Sequence, residues 1–237
     1  MFSITTEEIL SFLTQITLNT KQTTKRNRYI VLSSFFNFTI STNLPKLNNP
    51  CNSPILRKIF KRPSPIQWKI IEKDLVDEII FRTIHTRNRI LLELMARGGM
   101  RVGEVLNLTP SDVDDRRLIL QKPKSGRQGE VVYIPRKLNK RLFDYIREED
   151  IQPKEYIFPI TYSTAWHIVK NSGKMVGINL RPHDLRRHAA THASRAGTPL
   201  EIVSKVILRH ADLTTTQRYL GKINDREAIR WIENLYG

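Results

Sequence analysis

A cluster of prolines limits how this chain can fold. Pro45, Pro50, Pro54, Pro63 and Pro65 lie between residues 45 and 65, a stretch that otherwise carries one short helical pattern, Ile55 to Phe60. Proline lacks a backbone N–H and clashes with the preceding helical turn, so neither a long helix nor a central strand can run through this stretch. The cluster predicts a domain boundary near residues 62–68. We expect a small helical domain over 1–62, a linker over 63–70 and a larger domain over 71–237.

Hydrophobic periodicity predicts a fold that is mainly α with one small β-hairpin, an α+β class. Thr5 and Glu8 have capping-box spacing and begin the first helical pattern. Two strand-like runs, Leu118 to Leu120 and Val131 to Ile134, flank a polar, glycine-containing segment typical of a hairpin. The other predicted helices cover about 23–39, 71–82, 86–97, 102–108, 136–148, 162–173, 184–196, 199–208, 214–219 and 225–236.

The charge indicates a polyanionic partner. The 237 residues contain 39 Lys and Arg against 23 Asp and Glu, a formal net charge of +16. Because 40% of the residues are hydrophobic, the chain can still bury a core, and the excess charge does not come from a disordered tail. This composition excludes an ordinary acidic enzyme and favours a nucleic-acid partner.

The compartment follows from what the sequence lacks. Cys51 is the single cysteine, so no internal disulfide can form. No apolar run reaches the roughly 18 residues of a membrane span, and the first residues have no basic region typical of a signal peptide. We expect a cytoplasmic protein without a membrane partner.

The first 62 residues are strongly basic, with nine Lys or Arg against two Glu. Lys25, Arg26 and Arg28 lie at the start of the second helical pattern, where the helix dipole disfavours positive charge. This position indicates a phosphate contact. A solvated face without a specific role is the alternative.

Histidines and arginines gather near the C-terminus. His183, His188, His192 and His210 share one stretch with six arginines, and His183 and Arg186 are three residues apart, on one helical face. Together, imidazole and guanidinium can hold a phosphate and move a proton. His188 and His192 have zinc-like spacing, but the Glu of HExxH and any CxxC are missing, so we interpret them as packing or hydrogen-bonding residues.

Four segments in order resemble the tyrosine recombinases, the phage-integrase and Xer-like family. They cover about residues 75–220. The first-arginine box is similar to Ala96 to Val105, the lysine hairpin to Pro123 to Gly126, the HxxR box to Pro182 to His188, and the second histidine and nucleophile box to Leu208 to Tyr219.

The resemblance implies DNA strand breakage and rejoining through a 3′-phosphotyrosyl intermediate, without metal, ATP or another cofactor. Its implied residues and roles are the nucleophile Tyr219, the phosphate clamps Arg101 and Arg186, the general acid Lys124, the acid/base His183, the phosphate hydrogen-bond donor His210 and the orienting Glu104. Double-stranded DNA is the implied partner, with a dimer on each site, a tetramer in the synapse and a nucleoid-associated location.

Several alternatives stay open. Arg101 could cap the helix that ends at Gly98, Lys122 could replace Lys124 as the acid, and Tyr219 could be a core aromatic. Arg187 and Arg209 are expected to contact DNA, although the family usually has glycine at the position of Arg209. The segment from Lys25 to Phe60 resembles only the later helices of a SAM-like core-binding domain, so the N-terminal domain is short and partial.

The last helical pattern, 225–236, is expected to dock on its own domain or on a neighbouring protomer. Two other functions would use the same features: a type IB topoisomerase-like nicking and closing enzyme, and a catalytically idle DNA-binding remnant. Unspecific nucleic-acid binding would explain the charge alone. The sequence does not define the target DNA site.

Overall fold

The structure is a computed structural model, and it describes residues 4–43, 48–63, 70–121, 129–217, 220 and 225–236. The chain divides into two compact units, residues 1–66 and 67–237, which we call the N-terminal and C-terminal units. None of the helices in the described ranges has the length and apolar character that crossing a membrane requires.

The N-terminal unit is helical: α1 spans Thr6–Ile16, α2 Gln22–Asn43 and α3 Pro54–Ile59, with a 3₁₀ turn at Pro50–Asn52. The capping box predicted at Thr5 and Glu8 starts α1, with both reciprocal hydrogen bonds present. Tyr29 organises the small core, since its ring stacks on Phe60 and its hydroxyl donates to the Cys51 carbonyl at 2.9 Å. The Cys51 thiol is buried there, and burial raises its pKa.

The C-terminal unit packs helices around a three-stranded antiparallel sheet whose strands lie side by side in chain order. Strand β1 spans Val113–Asp114, β2 Arg117–Leu120 and β3 Glu130–Tyr133, with Leu118 opposite Val132 in the register. The predicted mainly helical class with a hairpin is confirmed. The third strand was not predicted, because two residues are too few to show an alternation.

The helices of this unit begin and end close to their predicted limits. They are α4 Lys73–Arg82, α5 Thr86–Ala96, α6 Val102–Leu106, α7 Arg136–Glu148, α8 Tyr162–Lys174, α9 Pro182–Arg195, α10 Leu200–Ile202, α11 Leu213–Gln217 and α12 Asp225–Tyr236. Apolar residues of these helices and of β2 form the main core, which includes Leu92, Leu118, Leu142 and Leu185. A smaller cluster contains Ala190, Val203 and Leu208.

Two local features differ from a simple helix pattern. The helix expected over 199–208 changes after α10 into a π-helix at Val203–Ile207, where the Leu208 N–H donates to the Val203 carbonyl. Such widened turns often occur at functional sites. In α12, the Trp231 ring lies close to Gly197, and a Cβ added there would lie 3.0 Å from it. The tail helix thus contacts its own unit through Trp231, while Ile229 and Ile232 are exposed.

Gly173 in α8 predicts a stability effect. A Cβ at this position would lie 2.4 Å from the Leu180 Cβ and 2.9 Å from the Ile178 carbonyl oxygen, too close to be accommodated without movement. We expect Gly173→Ala to lower the free energy of unfolding by about 2 kcal/mol, measured by urea denaturation. Gly103→Ala in α6 is the matched control. Nothing lies within 4 Å of its added Cβ, so its stability should be unchanged or higher by about 0.5 kcal/mol. Equal losses in both variants would contradict this packing.

Candidate active site

Arg101 and Glu104 are fixed to each other at the start of α6. Arg101 precedes the helix in extended conformation, and its backbone N–H donates to Glu104 Oε2 at 2.8 Å. Its guanidinium Nη1 donates to the other carboxylate oxygen, Oε1, at 2.5 Å. Arg101 could have capped the end of α5, but the Leu94 carbonyl there accepts from the backbone N–H groups of Gly98 and Met100. Arg101 therefore bonds to Glu104, and backbone groups satisfy the end of α5.

Glu104 carries a buried negative charge. Burial alone would raise its pKa, but the Arg209 charge and the hydrogen bonds from Arg101 hold the pKa below its ordinary value. The carboxylate is therefore ionised at neutral pH. It shares its charge between two arginines, because Arg209 Nη2 lies 2.7 Å from Oε2.

Arg186 lies in α9 and is completely buried. Its guanidinium donates to the carbonyl oxygens of Gly99 and Leu208. Gly99 has a left-handed φ of 61°, and a Cβ there would come within 2.8 Å of the Ile207 carbonyl oxygen, so this close approach needs glycine. Arg186 thus joins the turn after α5 to the turn after the π-helix.

His183 lies one helical turn before Arg186, at the start of α9, and its ring reaches solvent. Partial burial of the His183 ring lowers its pKa, and the charges of Arg186, Arg187 and Arg101 lower it further. His183 and Arg101 face one cleft of about 480 Å³. Its other lining residues are Val102, Gly103, Glu104, Asn107, Tyr162, Trp166, Arg181 and Pro182.

His210 is buried beside the π-helix. Its Nδ1 lies 2.9 Å from the hydroxyl of Thr216, which in turn donates to the hydroxyl of Ser204 at 2.8 Å. Burial lowers the pKa of His210 to about 4, and the charges of Arg186 and Arg101 act in the same direction. At neutral pH the ring is uncharged, and the hydroxyl chain holds its Nδ1 side.

The sequence did not predict roles for Thr216 and Ser204. The run Leu213 to Gln217 contains three consecutive threonines, and the letters alone do not show which hydroxyl faces inward. In the structure Thr216 is fully buried, whereas Thr214 is exposed. The sequence signal for Thr216 is its spacing from His210, because a helix that begins between them at Leu213 can turn the chain back toward the histidine.

Arg187 and Arg209, which the sequence predicts to contact DNA, have partners inside the protein in this structure. Both guanidinium groups are buried in this structure. Arg187 pairs with Asp184 at 2.9 Å, and Arg209 pairs with Glu104 at 2.7 Å and with Glu130 at 3.7 Å. Burial lowers the pKa of Arg209, and Glu104 opposes this shift. Each arginine is held by carboxylates inside the protein, so neither presents its charge at the surface.

The cations of α2 also have protein partners. Arg26 donates to the Phe60 carbonyl at 3.0 Å and lies over the Tyr29 ring, while Arg28 donates to the Ile16 carbonyl. Both carbonyls lie at the C-terminal ends of helices, where positive charge is favourable. The neighbouring Lys25 is half-buried. Binding to these helix ends is thus an alternative to the phosphate contact that the sequence predicts for Arg26 and Arg28.

His188 has the packing and hydrogen-bonding role that the sequence predicted. Its Nδ1 lies 2.9 Å from the Ile71 carbonyl oxygen, and its ring stacks on that of His192 with centroids 5.7 Å apart. Burial lowers the pKa of His188. Lys122, Lys124 and Tyr219 lie outside the described residues, so their predicted roles are carried by the sequence alone.

The described cations favour an anion in this cleft. Arg101 faces the cleft, and Arg186 lies one helical turn after His183, where its charge lowers the pKa of His183 and of His210. Two imidazoles that are neutral at neutral pH can accept or relay a proton.

Comparison with known proteins identifies the family. The model of the phage integrase family matches residues 70–225, well over half of the chain. The chain belongs to the phage integrase family. As a member it is a tyrosine recombinase, an enzyme that breaks and rejoins DNA.

Several relatives of this tyrosine recombinase match along most of its length. Tyrosine recombinase XerA of Pyrococcus horikoshii is 29% identical over all of this chain and 84% of its own. A tyrosine recombinase of Pseudothermotoga lettingae is 31% identical over 97% of this chain and 80% of its own.

Solved structures share the fold. A crystal structure of XerA recombinase has a TM-score of 0.62 at 23% identity, covering 99% of this chain and 84% of its own. A XerH site-specific recombinase bound to its palindromic difH substrate has a TM-score of 0.75 at 20% identity, covering 97% of this chain and 69% of its own.

The pKa of His210 predicts how stability depends on pH. The native ring takes up a proton only near pH 4, whereas an unfolded histidine does so near 6.5, so the unfolded state binds more protons between these values. Stability should therefore fall as the pH is lowered from 6.5 toward 4.5, with His210 contributing about 1 kcal/mol per pH unit. His210→Asn keeps an N–H donor at the Nδ1 position and removes the titration. Urea denaturation of this variant should show a shallower pH slope, and an unchanged slope would contradict the assignment.

Proposed function

We propose that this tyrosine recombinase is site-specific and acts on double-stranded DNA through a 3′-phosphotyrosyl intermediate. The observation that carries the proposal is the cleft lined by Arg101 and His183. Arg186 and His210 lie close to it: the charge of Arg186 lowers the pKa of His183, and the charge of Arg101 lowers the pKa of His210. These are four of the six residues that the four sequence boxes assign to the reaction. Tyr219 and Lys124 complete the set on the sequence evidence.

The reaction exchanges one phosphodiester for another. The phenol oxygen of Tyr219 attacks the scissile phosphorus, a bond from this oxygen to phosphorus forms, and the bond to the 5′-oxygen breaks. The phenol proton passes to His183, which is neutral at neutral pH because of its lowered pKa. Lys124 protonates the departing 5′-oxygen, with Lys122 as the alternative acid. A second 5′-hydroxyl reverses the step, so no ATP is consumed.

The arginines stabilise the charge that develops on the phosphate. Arg101 faces the cleft and donates directly to a non-bridging oxygen. Arg186 is buried beneath the 208–210 segment, so its charge acts on the phosphate through this segment. A direct contact between Arg186 and the phosphate requires the segment to move when DNA binds. Preorganised donors of this kind are worth about 10²- to 10³-fold in rate each.

His210 gains its role when the phosphate binds. Without DNA its pKa is about 4, because burial and the cations disfavour a charged ring. A bound phosphate adds negative charge that favours the protonated form. The Thr216 hydroxyl holds Nδ1, which leaves Nε2 to donate to the phosphate.

Basic residues next to the site extend the DNA contact. A second pocket adjoins the cleft and shares Trp166 and Arg181 with it, and its other lining residues include Lys170 and Lys174. Among the described residues that line this pocket there is no carboxylate. These cations hold backbone phosphates, which fix position rather than sequence. The helical N-terminal unit contributes its own DNA contacts as a core-binding domain.

The assembly follows from the chemistry. Strand exchange between two sites requires four nucleophiles, so we propose a dimer on each site and a tetramer in the synapse. The expected location is the cytoplasm, in association with the nucleoid. A topoisomerase-like enzyme would instead relax supercoiled DNA as a monomer.

The covalent intermediate provides the test. A library of nicked suicide substrates, in which the cleaved end diffuses away, should yield protein–DNA adducts that identify the target site. Tyr219→Phe should abolish these adducts while its dissociation constant for the same DNA changes by less than about 2-fold, since only one hydroxyl is removed. Tyr133→Phe, on the exposed end of β3, is the matched control and should form adducts at the wild-type rate.

The same assay separates the competing accounts. Adduct formation should persist in EDTA. If EDTA abolished it and added magnesium restored it, the metal-free mechanism would be contradicted. Adducts with Tyr219→Phe would show that another residue is the nucleophile. Relaxation of supercoiled DNA by a monomer, without joining of two sites, would favour the topoisomerase-like function.

A further inference from the structure

Arg209 is in an unusual environment for an arginine. Its φ of 51° is in the left-handed region, which glycine adopts without cost, and its side chain is 3% exposed. A long charged side chain at a strained, buried position needs compensating contacts. These contacts identify its role.

The guanidinium of Arg209 contacts several elements of the site. Nη2 lies 2.7 Å from Glu104 Oε2, and Nε lies 3.7 Å from a carboxylate oxygen of Glu130 on β3. Nη1 donates to the Ile207 carbonyl at 2.9 Å, and Nη2 also lies 3.4 Å from the Gly99 carbonyl oxygen. The Gly99 carbonyl also accepts from Arg186.

The bond to Glu104 affects Arg101. The two oxygens of this carboxylate have separate tasks, because Oε1 accepts from the Arg101 guanidinium and Oε2 from Arg209 and the Arg101 backbone. Arg209 therefore fixes the carboxylate that fixes Arg101. It also neutralises part of the Glu104 charge, so that Arg101 keeps positive potential for a phosphate.

We propose that Arg209 is a positioning residue, which orients Arg101 through Glu104 for the transfer reaction and makes no contact with DNA. The proposal rests on the proposed function. It assigns Arg209 the task of tying the Arg101 helix and strand β3 to the backbone segment that carries His210.

The experiment compares adduct formation with DNA affinity. Arg209→Gly removes the guanidinium and suits the left-handed backbone. With the suicide substrate identified for the wild type, the first-order rate of adduct formation at saturating DNA should fall about 10- to 100-fold, as for other groups that orient a reacting group. The dissociation constant should change by less than about 2-fold. Arg209→Lys keeps the charge without the planar fork and should be intermediate in rate.

The salt dependence of binding separates positioning from DNA contact. A phosphate contact contributes about 0.9 to the slope of log affinity against log salt concentration. We expect Arg209→Gly to keep the wild-type slope. A slope that is shallower by about 0.9, together with weaker binding, would show that Arg209 contacts DNA and would overturn the proposal. An unchanged adduct rate in Arg209→Gly would overturn it as well.

Two controls keep the result interpretable. Arg141 on α7 pairs with the buried Glu93 on α5. Arg141→Met removes this ion pair, which is comparable, and should leave the adduct rate unchanged. If Arg209→Gly does not unfold cooperatively, Arg209→Lys decides in its place, and a wild-type rate for that variant contradicts the proposal. Absence of adducts with the wild-type protein would refute the proposed function itself, whereas wild-type adducts with an unaffected Arg209→Gly would refute only this inference.

Discussion

The candidate site depends on the shared carboxylate of Glu104. An ionised carboxylate in the protein interior costs several kcal/mol in lost hydration, and two arginines and a backbone N–H offset this cost here. Because Glu104 follows Arg101 by three residues, the start of α6 places both groups together. Arg209 arrives from a segment more than one hundred residues later, so the same carboxylate also determines how the C-terminal part of the chain returns to this helix.

The irregular backbone between residues 203 and 210 makes this return possible. A π-helix widens the chain at Val203–Ile207, and the left-handed conformation of Arg209 then turns it sharply. The Leu208 carbonyl thereby faces Arg186, and the His210 ring reaches the Thr216 hydroxyl. A left-handed non-glycine residue costs about 1–2 kcal/mol, and the surrounding hydrogen bonds over-determine it. The regular helices α5 and α9 supply the rigid frame on which this strained segment is held.

Much of the fold could be predicted because its signals are local. The Thr5 and Glu8 capping box, the helical apolar patterns and the hairpin formed by the Leu118 and Val131 runs all depend on residues close in sequence. The placement of His183 and Arg186 on one helix follows from their spacing in the same way. The site was harder to predict where partners are distant. Nothing near Arg209 in the sequence indicates that Glu104 and Glu130 hold its charge. Arg187 differs, because its partner Asp184 lies only three residues before it on the same helix. The sequence also cannot distinguish the buried Thr216 hydroxyl from those of its threonine neighbours.

The coupling between Glu104 and Arg209 tests this account most directly. Single-turnover adduct formation would be measured for the wild type, Glu104→Gln, Arg209→Gly and the double variant on one suicide substrate. If Arg209 acts through Glu104, the second substitution adds less than about 3-fold to the slowing caused by Glu104→Gln alone, because the contact it serves is already lost. Independent roles would make the two fold-losses multiply in the double variant. That result would contradict the shared carboxylate as the organising interaction of the site.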